Sequence, residues 1–165
     1  MDIIKLFTDG SVNTKSKTGY GAYLAVRDDQ RSLDDLKATV KVKRFEKTSS
    51  TKLELQTLLW AFSDIPAQKG KIIIYTDSQN IIGLPGRRNR LEKNNYYSNK
   101  NRRLNNFELY QEFYRVTDCL DCEFVKVQGH KVSKQKNRIE KIFTLVDRAS
   151  RIAVRENAKM FKPNN

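Results

Sequence analysis

The chain has 165 residues, and its 32 Lys and Arg against 19 Asp and Glu give a formal net charge of +13. A surplus of this size indicates a polyanionic partner, of which nucleic acid is the usual one. No apolar run reaches membrane-spanning length and the first residues lack signal-peptide features, so we expect a soluble, intracellular protein. We therefore expect one compact cytoplasmic domain over residues 1–165, monomeric, with no membrane partner and no organic cofactor.

Two cysteines, Cys119 and Cys122, form a CxxC motif just before a strand-like run. A thioredoxin-type motif would precede a helix, and a zinc site would need further ligands. We predict that both are free structural thiols.

Three strands are predicted in the first half of the chain. The first is an apolar run ending in LFTDGS at residues 6–11, which delivers Asp9 to the C-terminal end of the strand. The second covers residues 19–26, where Gly19 and Gly21 indicate a bulge or a close backbone approach. The third covers residues 36–45, where apolar and polar residues alternate. Short turns between them predict an antiparallel meander.

A helix is predicted from the N-cap residues 48–51 to about residue 65, where Pro66 ends it. One apolar row of this helix, extended one turn towards its N-terminus, reaches Glu54. The carboxylate is therefore expected on the face of the helix that is buried. The alternative is a capping box, in which Glu54 bonds the backbone N–H of Thr51. The helix alone does not decide between them.

A second apolar run, IIIYTDSQ at residues 72–79, also closes on an aromatic residue, Thr and Asp. Because a helix connects this strand to the preceding sheet, we predict that it lies parallel to the first strand. Asp9 and Asp77 then share one edge of the sheet, which is unfavourable unless a cation lies between them. Gln79 follows in a short helix that Pro85 and Gly86 are expected to end.

The segment at about residues 86–104 is strongly basic. It holds seven Lys or Arg residues against the single acidic residue Glu92. Surface helices that pair their own charges carry both signs, so the run favours a protrusion that binds nucleic acid over a solvated helix face. Its positive residues are Arg87, Arg88, Arg90, Lys93, Lys100, Arg102 and Arg103.

The last third predicts a helix near residues 107–116, a strand at 123–128, a long basic loop at about 131–138 and a helix from about 138 to 159. His130 precedes that loop and is either a functional side chain or a turn residue with no chemistry. Asp147 flanks the apolar stripe of the final helix. It is either a further functional carboxylate or one half of an ion pair with Arg151, four residues later. The element order predicts an α/β fold with a five-stranded mixed sheet, three strands antiparallel and then two parallel, and helices on both faces.

Taken together, these segments resemble the type 1 ribonuclease H family. The matching pieces, in the family's order, are FTDGS followed by GYGAYL, then TSSTKLELQTLLWAF, IIIYTDSQ, VKVQGH and LVDRASRIA. The resemblance implies the ribonuclease H-like fold and endonucleolytic hydrolysis of the RNA strand of RNA–DNA hybrids, leaving 5′-phosphate and 3′-hydroxyl ends. It also implies two Mg²⁺ ions in the site, with Mn²⁺ as an alternative.

The resemblance assigns four carboxylates to metal binding. Asp9 is the bridge between the ions, Asp77 and Glu54 belong mainly to the ion beside the leaving group, and Asp147 belongs mainly to the ion that carries the water. His130 takes the position of the mobile-loop histidine, which shuttles a proton or helps to release the product.

Substrate contacts are also implied by the resemblance. Ser50, Thr51 and Gln79 stand where side chains contact the 2′-hydroxyl groups of RNA. Arg87, Arg88 and Arg90 belong to the basic protrusion, which binds phosphates of the DNA strand. Two other functions stay open, namely a non-catalytic nucleic-acid-binding module and a nuclease of the same superfamily that acts on DNA.

Overall fold

The computed structural model describes residues 2–27, 30–66, 70–128 and 132–160. Five strands and five helices span most of this part of the chain, with a short 3-10 turn at Ser133–Gln135. The strands are β1 (Ile3–Asn13), β2 (Thr18–Val26), β3 (Lys41–Phe45), β4 (Lys71–Thr76) and β5 (Asp121–Lys126). The helices are α1 (Leu33–Lys37), α2 (Ser50–Asp64), α3 (Gln79–Lys93), α4 (Phe107–Asp118) and α5 (Arg138–Met160).

The strands form one mixed sheet in the order β3-β2-β1-β4-β5. The pairs β1–β2 and β2–β3 are antiparallel, whereas β1–β4 and β4–β5 are parallel. This confirms the predicted α/β fold, with β4 beside β1.

Side-chain alternation along the strands divides the core into two layers. Leu6 and Ile74 point to the face covered by α2, α3 and α4, where they pack with Leu55. Phe7 and Tyr75 point to the opposite face, where they pack against α5 and Val146. The sheet therefore has helices on both faces. The edge of the sheet at which the parallel strands β1 and β4 end lies between α2 and α5.

Helix α2 lies unusually close to the sheet because glycines face it. A Cβ atom added at Gly21 would lie 2.1 Å from Thr57 Oγ1, and one at Gly10 would lie 2.8 Å from Leu53 Cδ2. Thr57 is fully buried and donates a hydrogen bond to the carbonyl oxygen of Leu53 at 2.7 Å. The close approach predicted from Gly21 is thus that of α2, which carries Glu54 towards the sheet.

The predicted third strand was too long. Strand β3 begins at Lys41, and the preceding segment holds the short helix α1. Ser32 caps this helix, because its side chain accepts a hydrogen bond from the backbone N–H of Asp35. Burial of Leu36 against α5 decides the local structure over the alternating sequence pattern.

The prediction that Pro85 and Gly86 end a short helix was also wrong. Helix α3 continues through Pro85 to Lys93. Ile81, Leu84 and Leu91 bury one side of both halves of the helix in the core, while Pro85 is exposed. The apolar contacts on both sides of the proline outweigh the hydrogen bond that it removes.

Cys119 and Cys122 are free thiols, as predicted. Within the described ranges, no helix is long and apolar enough to cross a membrane.

Candidate active site

Strands β1 and β4 bring two carboxyl groups together at the C-terminal edge of the sheet. Phe7 pairs with Tyr75 in the parallel register, and their rings stack with centroids 4.8 Å apart. Asp9 and Asp77 each lie two residues further along, so strand alternation places them side by side. Asp9 is partly buried within β1, whereas Asp77 directly follows β4 and is exposed.

The Asp9 carboxyl group is the most strongly perturbed acid of the site. Burial, above all, together with the negative charge of Asp77 and a hydrogen bond with Asp147, raises its pKa from 3.8 to about 8. The backbone N–H of Gly10 opposes the shift by bonding the carboxylate. Asp9 is therefore mostly protonated at neutral pH in the metal-free protein, and its ionised form needs a nearby cation.

Helix α5 supplies Asp147 from one face of the sheet. Val146, just before it, is fully buried against the layer that contains Phe7. Asp147 Oδ1 forms an ion pair with Arg151 Nε at 3.0 Å, while the carboxyl group also bonds Asp9. The predicted ion pair with Arg151 is thus present, and the same side chain faces Asp9; metal binding by Asp147 remains a prediction.

Helix α2 supplies Glu54 from the other face. Ser78 Oγ donates a hydrogen bond to Glu54 Oε2 at 2.6 Å. Burial raises the pKa of Glu54, the bond from Ser78 lowers it, and the charge of Asp77 raises it. The capping-box alternative was wrong, because Ser49 caps α2 by accepting a hydrogen bond from the backbone N–H of Lys52.

The four carboxyl groups form a row. Glu54 neighbours Asp77, Asp77 neighbours Asp9, and Asp9 neighbours Asp147. Carboxylate oxygens are the ligands that hard divalent cations prefer, and a cation would relieve the repulsion that raises the pKa of Asp9. Among the described residues, no three Asp, Glu, His or Cys side chains are close enough in this arrangement to coordinate one metal ion together. The donor set fits divalent ions by its chemistry, with its outer members held by Ser78 and Arg151.

The predicted 2′-hydroxyl contacts lie on the same elements as the row. Ser50 and Thr51 are in the first turn of α2, one turn before Glu54. Gln79 begins α3, and its Oε1 accepts a hydrogen bond from Lys126 Nζ at 2.5 Å. His130 lies outside the described residues. The substrate-contact roles of these residues remain predictions.

The predicted phosphate ligands on α3 have different surroundings. Arg87 turns back along the helix and donates to the backbone oxygen and Oδ1 of Asn80 at 3.1 and 2.6 Å. Arg88 bonds Glu92 and Asp118, so both arginines are engaged within the protein. Arg90 is exposed to solvent. Phosphate binding by the three arginines remains a prediction.

Sequence reasoning missed the part played by Ser78. This buried side chain donates to Glu54 and also accepts a hydrogen bond from the backbone N–H of Ile81, which caps α3. A signal was available, since a serine directly before a helix is a preferred N-cap residue. One hydroxyl thus joins the start of α3 to the acidic row.

Ser78→Ala is expected to lower the free energy of unfolding by about 1 kcal/mol through loss of the cap. It should also lower activity at limiting metal concentration by about tenfold, because Glu54 loses the bond that orients it. Urea unfolding and cleavage rates across a Mg²⁺ titration measure the two effects. Ser78→Thr, which keeps the hydroxyl, is the matched control. A variant that is less stable but has an unchanged Mg²⁺ dependence would show that Ser78 acts only as a cap.

The family model for RNase H matches residues 2–146. The chain belongs to the ribonuclease H family. A ribonuclease H from Acetivibrio thermocellus is 24% identical over 148 residues, which covers 87% of this chain and 94% of that protein. A ribonuclease H from Thermoanaerobacter sp. strain X514 is 20% identical over 147 residues, with 87% and 89% covered.

A solved structure has the same fold. A type 1 RNase H with the type 2 active-site motif superposes with a TM-score of 0.67 at 16% identity, covering 92% of this chain and 72% of that one. The family assignment makes this ribonuclease H an enzyme that acts on RNA–DNA hybrids.

Proposed function

We propose that this ribonuclease H cuts the RNA strand of RNA–DNA hybrids internally, and that its row of carboxyl groups holds the divalent ions that the reaction needs. The observation that supports this most is the pKa of Asp9, raised to about 8 by burial and by acidic neighbours. A buried carboxyl group between Asp77 and Asp147 ionises readily only when a cation is present. Mg²⁺ suits a site of carboxylates completed by water and phosphate oxygens.

Two divalent ions, when bound, supply an activated water and stabilise charge on the leaving 3′ oxygen, so that hydrolysis leaves 5′-phosphate and 3′-hydroxyl ends. Asp9 is in the middle of the row and would be the ligand shared by both ions. Glu54 and Asp77 lie on one side of it and Asp147 on the other. We assign His130 to proton transfer or product release.

Recognition of the hybrid is proposed to use its shape. RNA paired with DNA exposes 2′-hydroxyl groups in a wide, shallow minor groove. Ser50, Thr51 and Gln79 carry hydroxyl or amide groups next to the acidic row and are the proposed readers of these hydroxyls. The net charge of +13 attracts the phosphate backbone without reading its sequence.

A comparison of three labelled duplexes of one sequence tests this function. With Mg²⁺, the RNA strand of the hybrid should be cut, whereas double-stranded RNA and double-stranded DNA stay intact and EDTA stops the reaction. Hybrid binding without cleavage at any Mg²⁺ or Mn²⁺ concentration would support the non-catalytic module instead. Cleavage of double-stranded DNA would support the DNA nuclease.

A further inference from the structure

A cleft of about 430 Å³ opens beside the acidic row, along one side of α5. Asp77 and Asp147 form its acidic end. The rest of the wall carries three arginines of α5 and one lysine, with Glu140 as its one further acidic residue among the described residues. The basic residues are Lys136, Arg148, Arg151 and Arg155.

The three arginines are aligned along α5. Their spacing of three and four residues places them on one side of the helix, over about 10 Å from Arg148 to Arg155. The residues one turn before and one turn after Arg155 are Arg151 and Lys159, which are also basic. Like charges at this spacing destabilise a helix by a few tenths of a kcal/mol per pair, and a bound polyanion would offset this cost.

Arg151 differs from the other two arginines because it already bonds Asp147 at 3.0 Å. Arg148 and Arg155 are exposed at the cleft. They are therefore the two guanidinium groups of this row that a bound anion can reach without breaking the ion pair at the acidic end.

We propose that Arg148 and Arg155 bind backbone phosphates of the RNA strand, next to the bond that is cut. This inference rests on the proposed function. The cleft is continuous with Asp77 and Asp147, where the RNA phosphate would be held. The predicted phosphate-binding arginines lie on α3, which packs on the opposite face of the sheet from α5, and this makes them the candidates for the other strand.

The first experiment measures cleavage by the double variant Arg148→Gln/Arg155→Gln over a range of salt concentrations. Loss of two phosphate contacts should raise KM about tenfold with kcat unchanged, and should lower the slope of log KM against log salt by about two. The matched control is Lys71→Gln/Arg115→Gln, which removes the same charge. Lys71 begins β4, at the far end of the strand from Asp77, and Arg115 lies on α4.

If the two double variants have equal KM values and equal salt slopes, the inference about Arg148 and Arg155 is overturned. The proposed function still stands in that case, provided that the wild-type protein cuts the hybrid. A wild-type protein that cuts no hybrid would instead remove the function itself.

A second measurement identifies the strand. The duplex carries one short ribonucleotide segment that fixes the cut position, and Asp77→Asn prevents cleavage. The affinity for this duplex is compared between Asp77→Asn and Asp77→Asn with Arg148→Gln/Arg155→Gln. If the arginines bind phosphates of the RNA-containing strand, shortening that strand beside the ribonucleotide segment should abolish the difference in affinity. Shortening the DNA strand should leave the difference intact. The opposite pattern would assign the arginines to the DNA strand and overturn the proposal.

Discussion

Asp9→Asn is expected to lower kcat for hybrid cleavage by about a thousandfold while making the metal-free protein more stable. The loss of activity follows because an amide in the middle of the row cannot supply the negative charge that two divalent ions require. The gain in stability follows because wild-type Asp9 must take up a proton, or else bury a charge next to Asp77 and Asp147, when the metal-free protein folds at neutral pH, whereas an amide needs neither. Single-turnover cleavage and urea unfolding in EDTA measure the two effects.

The same substitution should change the pH dependence of stability. The folded protein holds a proton on Asp9 up to about pH 8, whereas the unfolded chain loses it near pH 3.8. Between these values the folded state binds more protons, so the free energy of unfolding of the metal-free wild type falls as pH rises and then levels off. In Asp9→Asn this contribution to the fall is absent.

Asp64→Asn is the matched control for that pH profile. Hydrogen bonds from Tyr23 and Lys41 lower the pKa of Asp64, which is the opposite direction from Asp9. This control should keep both the fall in stability between about pH 4 and about pH 8 and the cleavage activity. Parallel profiles for wild type and Asp9→Asn would contradict the assigned state of Asp9.

Gly21→Ala is expected to lower the free energy of unfolding by about 3 kcal/mol. The new Cβ would lie 2.1 Å from Thr57 Oγ1, and Thr57 is fully buried and bonded to the backbone of Leu53. Helix α2 must then move away from the sheet and take Glu54 with it, so kcat should also fall. Urea unfolding and the cleavage assay test both parts.

Two further variants separate this clash from a general effect of replacing glycine. Adding Thr57→Ala to Gly21→Ala removes the hydroxyl and methyl groups that the new Cβ meets. The double variant should therefore lose less free energy of unfolding than the two single variants lose in total. Gly86→Ala places a Cβ where, apart from the neighbouring backbone of its own helix, no described atom lies within 4 Å, and its stability should change by less than about 1 kcal/mol. If Gly21→Ala were as stable as Gly86→Ala, the close packing of α2 would not constrain the site.

Much of the fold could be predicted because its strands have clear local patterns. The two runs that end in Asp9 and Asp77, joined through a helix, were enough to predict parallel neighbours with adjacent carboxyl groups. The path through Pro85 could not be predicted in the same way. It depends on burial of Leu84 and Leu91 against distant parts of the chain, which local breaker signals do not report.

The acidic row shows a similar limit. Residue spacing predicted that Glu54 and Asp147 lie on or beside the buried faces of their helices. It could not predict the hydrogen-bond or ion-pair partner of either side chain. Glu54 bonds Ser78 instead of its own helix start, and Asp147 contacts both Arg151 and Asp9. These choices depend on the distance between elements that are far apart in the sequence.

Asp9 is expected to give up its proton when a divalent cation binds at the acidic row. Calorimetric titration of Mn²⁺ into wild type and Asp9→Asn at neutral pH, repeated in buffers of different ionisation enthalpy, tests it most directly. We predict that wild type binds Mn²⁺ with release of a proton, because the pKa of Asp9 is about 8 without metal, and that Asp9→Asn loses both the affinity and the proton release. Equal affinity and equal proton release in the two proteins would contradict the account.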